Sequence, residues 1–228
     1  MTSDARRRRV KPPPAAKPAF FFSYSRVPIP DDGDLSDPNT EQHQFFNDLK
    51  RAVNQLLPIP AGDPIGFLDV GQEAGVRWSD ELIQNLDNAT VFVALLSARY
   101  VSLSTWCPME WTYFARRKVT TKDGAQPRPN ATAILPVNWS PVGGPLPPMI
   151  EEVQHFEPSA EALLPRHRTL YLKEGVLGMQ KFHEGQGAYN AVVWSLAREI
   201  QIRVNALDVR PSGRRTTDGL RRSFWPGA

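Results

Sequence analysis

Residues 90–97 read Thr-Val-Phe-Val-Ala-Leu-Leu-Ser, six apolar residues in a row between two hydroxyl residues. A strand with one wet face alternates apolar and polar side chains. A strand that is apolar at every position is covered on both faces, which is the situation of a central strand in a parallel sheet with helices above and below. Parallel neighbours cannot be joined by a tight turn, so the rest of the chain must supply further strands and the crossover helices between them.

Three further segments fit as its partners. Ala19-Phe20-Phe21-Phe22-Ser23-Tyr24 and Ile65-Gly66-Phe67-Leu68-Asp69-Val70 are short apolar runs closed by polar residues. Ala133-Ile134-Leu135-Pro136-Val137 is a fourth, and its proline suits only a sheet edge or a strand end. Val153-Gln154-His155-Phe156 adds a short fifth. Helical spacing appears at Phe45, Phe46, Leu49, Val53, Leu56 and Leu57, ended by Pro58, and again at Trp78, Leu82 and Leu86. Residues 106–117 carry Trp111, Phe114 and Ala115 on one side. Tyr189, Val192, Val193, Leu196, Ile200 and Val204 predict a last helix within 186–206, and a short one is expected near Met149. Residues 26–40 and 120–131 are polar, proline-containing loops, and 157–185 carry no pattern that assigns an element. Strands alternating with helices predict a three-layer α/β domain over residues 19–207, with a mainly five-stranded parallel sheet.

The formal charge of +3 divides unevenly. Residues 1–18 hold Arg6 to Arg9, Lys11 and Lys17 against Asp4, a balance of +5. Residues 208–228 hold five arginines against two aspartates, a balance of +3, which leaves −5 for the middle. An acidic domain between two basic tails does not suit specific nucleic-acid binding, and both tails are expected to be solvated arms without regular structure. Cys107 is the one cysteine, so an internal disulfide and a multi-cysteine metal site are excluded. That usage fits a reducing compartment and a cytoplasmic location. No run of about 18 apolar residues predicts a membrane span. The arginines at 6–9 are followed by Lys11-Pro12-Pro13-Pro14 rather than an apolar stretch, so no signal peptide is expected.

Ligands of open α/β sheets bind beyond the carboxyl ends of the strands. Four groups gather there: Tyr24-Ser25-Arg26, residues 69–75 with Asp69 and Glu73, the segment leading to Glu110, and Asn138-Trp139. In Ser104-Thr105-Trp106-Cys107-Pro108-Met109-Glu110-Trp111, Ser104 or Thr105 can cap a helix, and Pro108 is tolerated only in its first turn. Glu110 then lies one turn after Trp106 on the same face. A carboxylate beside an indole suits gripping ribose hydroxyls next to an aromatic ring. Each residue also has a structural reading: Glu110 as a charge favourable near a helix start and Trp106 as core, Asp69 as a turn cap, Glu73 as a solvated loop charge, Tyr24 as core, Arg26 as plain surface. Trp78 reads as core. The four histidines lack metal-ligand spacing, and Cys107 has no histidine near it in sequence to activate it.

Read together, these motifs resemble a TIR (Toll/interleukin-1 receptor) domain. Phe-Phe-Ser-Tyr-Ser-Arg at 21–26 looks like the family's opening strand. Phe67 to Val70, then Glu73-Ala74-Gly75 and Trp78, look like its second strand and mobile loop. Trp106-x-x-x-Glu110 looks like the Trp and Glu of the TIR domains that cleave NAD, and Trp106-Cys107-x-x-Glu110 like the corresponding run in plant members. The resemblance covers residues 19–156, with 186–206 as the final helix. Within the family the chain most resembles the small bacterial TIR-like proteins of the FxsC type, encoded beside peptide-modifying enzymes. The long first loop, the shorter second loop and residues 157–185 depart from the pattern.

The resemblance implies a flavodoxin-like fold and cleavage of the nicotinamide–ribose bond of NAD+, by hydrolysis or cyclisation. NAD+ is then the substrate and no separate cofactor is needed. Glu110 would be the catalytic carboxylate, with Tyr24, Ser25, Arg26, Asp69, Glu73 and Trp106 binding substrate. It also implies self-association through the loop at 70–77, in a bacterial signalling or defence setting, with other TIR or peptide-modification proteins as further partners. The competing reading is a non-catalytic TIR adaptor. A phosphate-receiver domain is disfavoured because no acidic pair follows the first strand and no lysine ends the fourth. A deoxyribosyltransferase-like enzyme is disfavoured by the second-loop motif. A dinucleotide fingerprint is absent after strand one.

Overall fold

The computed structural model describes residues 17–29, 36–69, 78–125, 132–213 and 216–227. The basic segment 1–16 and the loop 70–77, including Glu73, lie outside the described residues.

The apolar run forms β3 (Val91–Leu96), and all six of its side chains are buried. On one side it pairs in parallel with β1 (Phe20–Ser23), which pairs in turn with β2 (Gly66–Leu68); on the other it pairs with β5 (Ile134–Asn138). The order is β2-β1-β3-β5, all parallel. Side chains alternate between the faces. Phe20, Phe22, Val91, Val93, Leu95, Leu135 and Val137 pack towards α1 (Thr40–Leu56), α6 (Pro165–Lys181) and α7 (His183–Ala206). Phe21, Phe92, Ala94, Leu96 and Ile134 pack towards α2 (Asp80–Asn88), α3 (Ala98–Ser102) and α4 (Trp106–Ala115). The result is the three-layer α/β arrangement expected, with four strands rather than five.

The missing strand has a local cause. Pro136 lies on the edge strand β5, where a residue without an N–H is tolerated. Its carbonyl accepts one bond from the Phe156 amide, at 2.8 Å. There pairing stops, because the Phe156 carbonyl is taken by the Tyr171 hydroxyl at 3.0 Å and the Asn138 amide by the same hydroxyl at 3.3 Å. A tyrosine of α6 thus seals the edge that 153–156 was expected to cover. The short helix near Met149 is α5 (Pro148–Glu151).

Residues 157–185, unassigned from sequence, hold all of α6 and the start of α7. The helix breaks at Gly175, with φ 70° and ψ −170°. A Cβ on Gly175 would stand 2.4 Å from the Trp139 carbonyl oxygen. At the break, the Asn138 side-chain amide donates to the carbonyls of Tyr171 and Leu172 at 3.0 and 3.1 Å, and Leu177 N–H donates to the Trp139 carbonyl at 2.9 Å. The end of β5 therefore takes over hydrogen bonds at the helix break.

The segment expected as a solvated tail after residue 207 is attached to the domain at several described residues. Leu207 and Val209 are buried in β6 (Leu207–Val209), which pairs antiparallel with β4 (Val119–Thr121), at the start of the expected 120–131 loop. Phe224 is 1% exposed. Arg221 and Arg222 stay at the surface. Charge thus dominates the composition of this segment while three apolar side chains decide where it lies. Arg117, itself buried, donates to the carbonyls of Leu86, Ala89, Val209 and Arg210, tying the end of α2 to β6.

Gly175→Ala combines left-handed backbone strain with a clash against a main-chain carbonyl. It should cost at least ~2 kcal/mol, a fall in Tm of at least ~4 °C for a chain of this size. Gly187→Ala, in α7 with open space around its added Cβ, should raise stability by up to ~1 kcal/mol. Thermal melts of the two variants check the pair; equal effects would overturn this account of the kink.

Candidate functional site

In the order β2-β1-β3-β5 the direction of winding reverses between β1 and β3. A crevice opens beyond the carboxyl ends of strands at such a reversal. Ser23 ends β1 there, and the chain leaving β3 forms α3 and then α4.

α4 starts as its residues dictate. Ser104 Oγ accepts from the Cys107 amide at 3.0 Å, so Ser104, not Thr105, supplies the side-chain cap. Pro108 falls in the first turn, where its missing N–H has no intrahelical partner to lose. Glu110 follows on a helix buried along most of its length, and only 6% of its surface is exposed.

A buried carboxyl group requires a hydrogen-bond donor or a proton. The Ser23 hydroxyl donates to Glu110 Oε2 at 2.5 Å, and the Tyr100 hydroxyl lies 3.1 Å from Ser23 Oγ. Burial pushes the Glu110 carboxyl up to about 8; the Ser23 donor opposes the shift and the nearby Asp69 charge adds to it. Glu110 is therefore mostly protonated at neutral pH. Burial also raises the Cys107 thiol well above its ordinary value, with Glu110 adding to the shift. A thiol that is buried and protonated does not act as a nucleophile.

Glu110 lines one cavity with Phe22, Tyr24, Arg26, Asp69, Ser104 and Trp106. Its free volume is about 60 Å³, room for roughly two water molecules. Trp106 is half-buried, its ring 6.5 Å from that of Trp78, which packs in turn at 5.9 Å from Tyr113. Trp78 is core, at 9% exposure. The Tyr24 hydroxyl contacts His43 Nε2 at 3.1 Å, and His43 Nδ1 lies 3.5 Å from Asp37 Oδ2. Burial pushes the Tyr24 hydroxyl up to about 12, Arg26 opposing and Asp37, Asp69 and Glu110 reinforcing. The Asn39 side chain, then its amide, hold Asp37 below the usual carboxylate range.

Of the residues singled out from sequence, Tyr24, Arg26, Asp69, Trp106 and Glu110 share this cavity. Ser25 stands beside it without lining it. Asn138 and Trp139 serve the helix break and the core instead, Trp139 being 4% exposed and 6.0 Å from the Phe45 ring. Ser23, Tyr100 and His43 were not anticipated. Strand alternation could have found Ser23, which shares the face of Phe21 and so points towards the helices that carry Glu110. Nothing in the sequence marks Tyr100 or His43. Among the described residues no group of three or more histidine, cysteine or acidic side chains is placed to hold a metal ion, and no helix is long and apolar enough to cross a membrane.

A scan of protein-family models, a search of curated proteins and a search of solved structures each find no match to this chain.

The raised Glu110 value sets the sign of a stability effect. As pH rises, the unfolded chain ionises this group near 4.5 and the folded chain only near 8. The group's contribution to stability is full below about 4.5 and is lost as pH rises to about 8. Glu110→Gln keeps an acceptor for Ser23 and removes the titration. Its stability should match wild type near pH 4.5 and exceed it progressively towards pH 8, the gap widening by at most ~1.4 kcal/mol per pH unit. Urea unfolding across this range checks the expectation; parallel curves would mean that Glu110 ionises normally in the fold.

Proposed function

We propose that this chain is a TIR-like enzyme that hydrolyses the nicotinamide–ribose bond of NAD+, with Glu110 as the catalytic carboxylate. The observation that carries this reading is a buried carboxyl group at the switch point of a doubly wound parallel sheet. It faces a cavity shared with an indole (Trp106), a second carboxylate (Asp69) and a guanidinium (Arg26). The motif resemblance supplies the substrate, and the groups lining the cavity supply the chemistry it needs.

The chemistry fits these groups. The C1′–N1 bond breaks with its electron pair moving onto the pyridinium nitrogen, so nicotinamide leaves neutral and needs no general acid. Positive charge develops at C1′ and the ring oxygen. A carboxylate at Glu110 stabilises that charge and holds the ribose hydroxyls. Water then adds to C1′ and releases a proton, giving ADP-ribose. Trp106 stacks on the substrate and Arg26 meets a phosphate. Glu110 must be ionised to act, and a cationic ring brought alongside favours that form. kcat/KM, which reports the free protein, should therefore rise with pH up to about 8 and level off above it, while kcat levels off at lower pH.

A dinucleotide does not fit in about 60 Å³, so the cavity must widen to admit it. Assembly of protomers, with the 70–77 loop of one bordering its neighbour's site, is the proposed route, and the reaction is placed in the cytoplasm as part of a bacterial signalling or defence response. The small cavity and the neutral carboxyl group favour a second reading, a non-catalytic adaptor that recruits TIR or peptide-modification proteins.

The test is nicotinamide release from NAD+ by the purified protein at high concentration, with and without a crowding agent, from pH 6.5 to 9, beside Glu110→Gln. The proposal expects release by wild type that climbs with pH, and a loss of at least ~100-fold in the variant. Release by both proteins would move catalysis to another group. Release by neither, from folded and self-associated protein, would favour the adaptor.

A further inference from the structure

We propose that the segment after β6 is a clasp that positions Glu110: Phe224 packs on Tyr100, and Tyr100 holds the Ser23 hydroxyl from which Glu110 accepts. The segment makes its contacts on the layer that carries Glu110. Ser212 donates its amide and its hydroxyl to Asp87, at the end of α2, at 2.7 and 3.0 Å, and its hydroxyl meets that of Tyr113 at 3.2 Å. Arg116, just past α4, donates to the carbonyls of Asp218 and Gly219. Phe224 then inserts between α3 and α4, stacked on Tyr100 at 5.5 Å and 22° and edge-on to Trp111 at 5.8 Å and 90°.

Both aromatic neighbours of Phe224 bear on Glu110. Trp111 is the next residue on the helix. Tyr100 is fully buried, and its hydroxyl stands 3.1 Å from Ser23 Oγ, which stands 2.5 Å from Glu110 Oε2. An unbroken series of contacts thus runs from the surface segment to the carboxyl group. A cavity of about 520 Å³ lies against Tyr113, Arg116, Ser212, Asp218 and Gly219. The segment meets Tyr100 of α3 through the Phe224 ring.

The ionisable groups facing Glu110 are Tyr24 and Arg26 after β1, Asp69 after β2, Tyr100 on α3 and Cys107 one turn earlier on α4. Phe224→Ala removes none of them. It leaves a void beside Tyr100 that water can enter. Tyr100 and Phe224 are positioning residues in this scheme. Their effect on turnover rests on the NAD+ reading above, but their effect on the carboxyl group does not.

The experiment follows Glu110 by carbon-13 NMR of its side-chain carboxyl across pH, in wild type, Phe224→Ala, Phe224→Leu, Tyr100→Phe and the Phe224→Ala/Tyr100→Phe double variant. Val53→Ala, on the opposite face of the sheet, controls for lost stability alone. The clasp predicts a midpoint lowered by about one unit, tenfold in proton affinity, in Phe224→Ala. Phe224→Leu should recover most of the shift, Val53→Ala should show none, and the double variant should shift less than the two single variants together. The pH profile of nicotinamide release should move down with the midpoint. A midpoint in Phe224→Ala unchanged from wild type, or moved equally by Val53→Ala, overturns the clasp. A shifted midpoint in a chain that releases no nicotinamide leaves the clasp standing and overturns the enzyme.

Discussion

A carboxyl group without water must be protonated or given donors, and Glu110 meets that condition through the Ser23 hydroxyl at 2.5 Å. The contact joins the first strand to the fourth helix across 87 residues. It also requires that β1 end where it does. One residue further on, the chain has left the sheet; one residue back, Phe22 edges the cavity but packs its ring into the opposite layer. The parallel register of β1 with β3, Phe20 against Val91 through Ser23 against Ala94, holds that ending in place. The all-apolar β3 is therefore tied to the chemistry of a carboxyl group that lies outside the sheet.

Residue type alone was enough where one physical demand dominated. Six apolar residues between two hydroxyl residues have the length and composition of a covered strand, and α1, with Phe45, Phe46, Leu49 and Val53 buried, presents a helical stripe. α4 was readable because Pro108 confines the first turn. Sequence reasoning failed where the deciding partner is distant. Residues 153–156 have the composition of a strand, but Tyr171 occupies the backbone groups they would have paired with. α6 has no clean stripe because it is two short helices joined at Gly175, and its broken turn is completed by Asn138 from another element. The segment after residue 207 reads as a tail because arginine dominates it, whereas its position depends on Leu207, Val209 and Phe224.

The site divides in the same way. Tyr24, Arg26, Asp69, Trp106 and Glu110 lie near strand ends or at a helix start, positions that topology brings together, so knowing the fold class was nearly enough to group them. Ser23, Tyr100 and His43 act through single hydrogen bonds, and such bonds leave no periodic mark. The apparent charge of the site was misleading as well. Its formal carboxylates are Asp69 and Glu110, yet the second is mostly neutral near pH 7 because burial outweighs the hydroxyl that supports its ionised form.

The buried thiol of Cys107, the chain's one cysteine, has a consequence of its own. Peroxide and disulfide reagents react with thiolates, and burial keeps this sulfur protonated and out of their reach. While the fold is closed, such reagents find no thiolate beside Glu110. When it opens, a sulfenic or sulfonic acid formed on Cys107 would place a bulky polar group in the first turn of α4, where there is no space for it. A sulfenic acid there remains reducible, whereas a sulfonic acid is permanent and would keep the first turn of α4 from closing again beside Glu110.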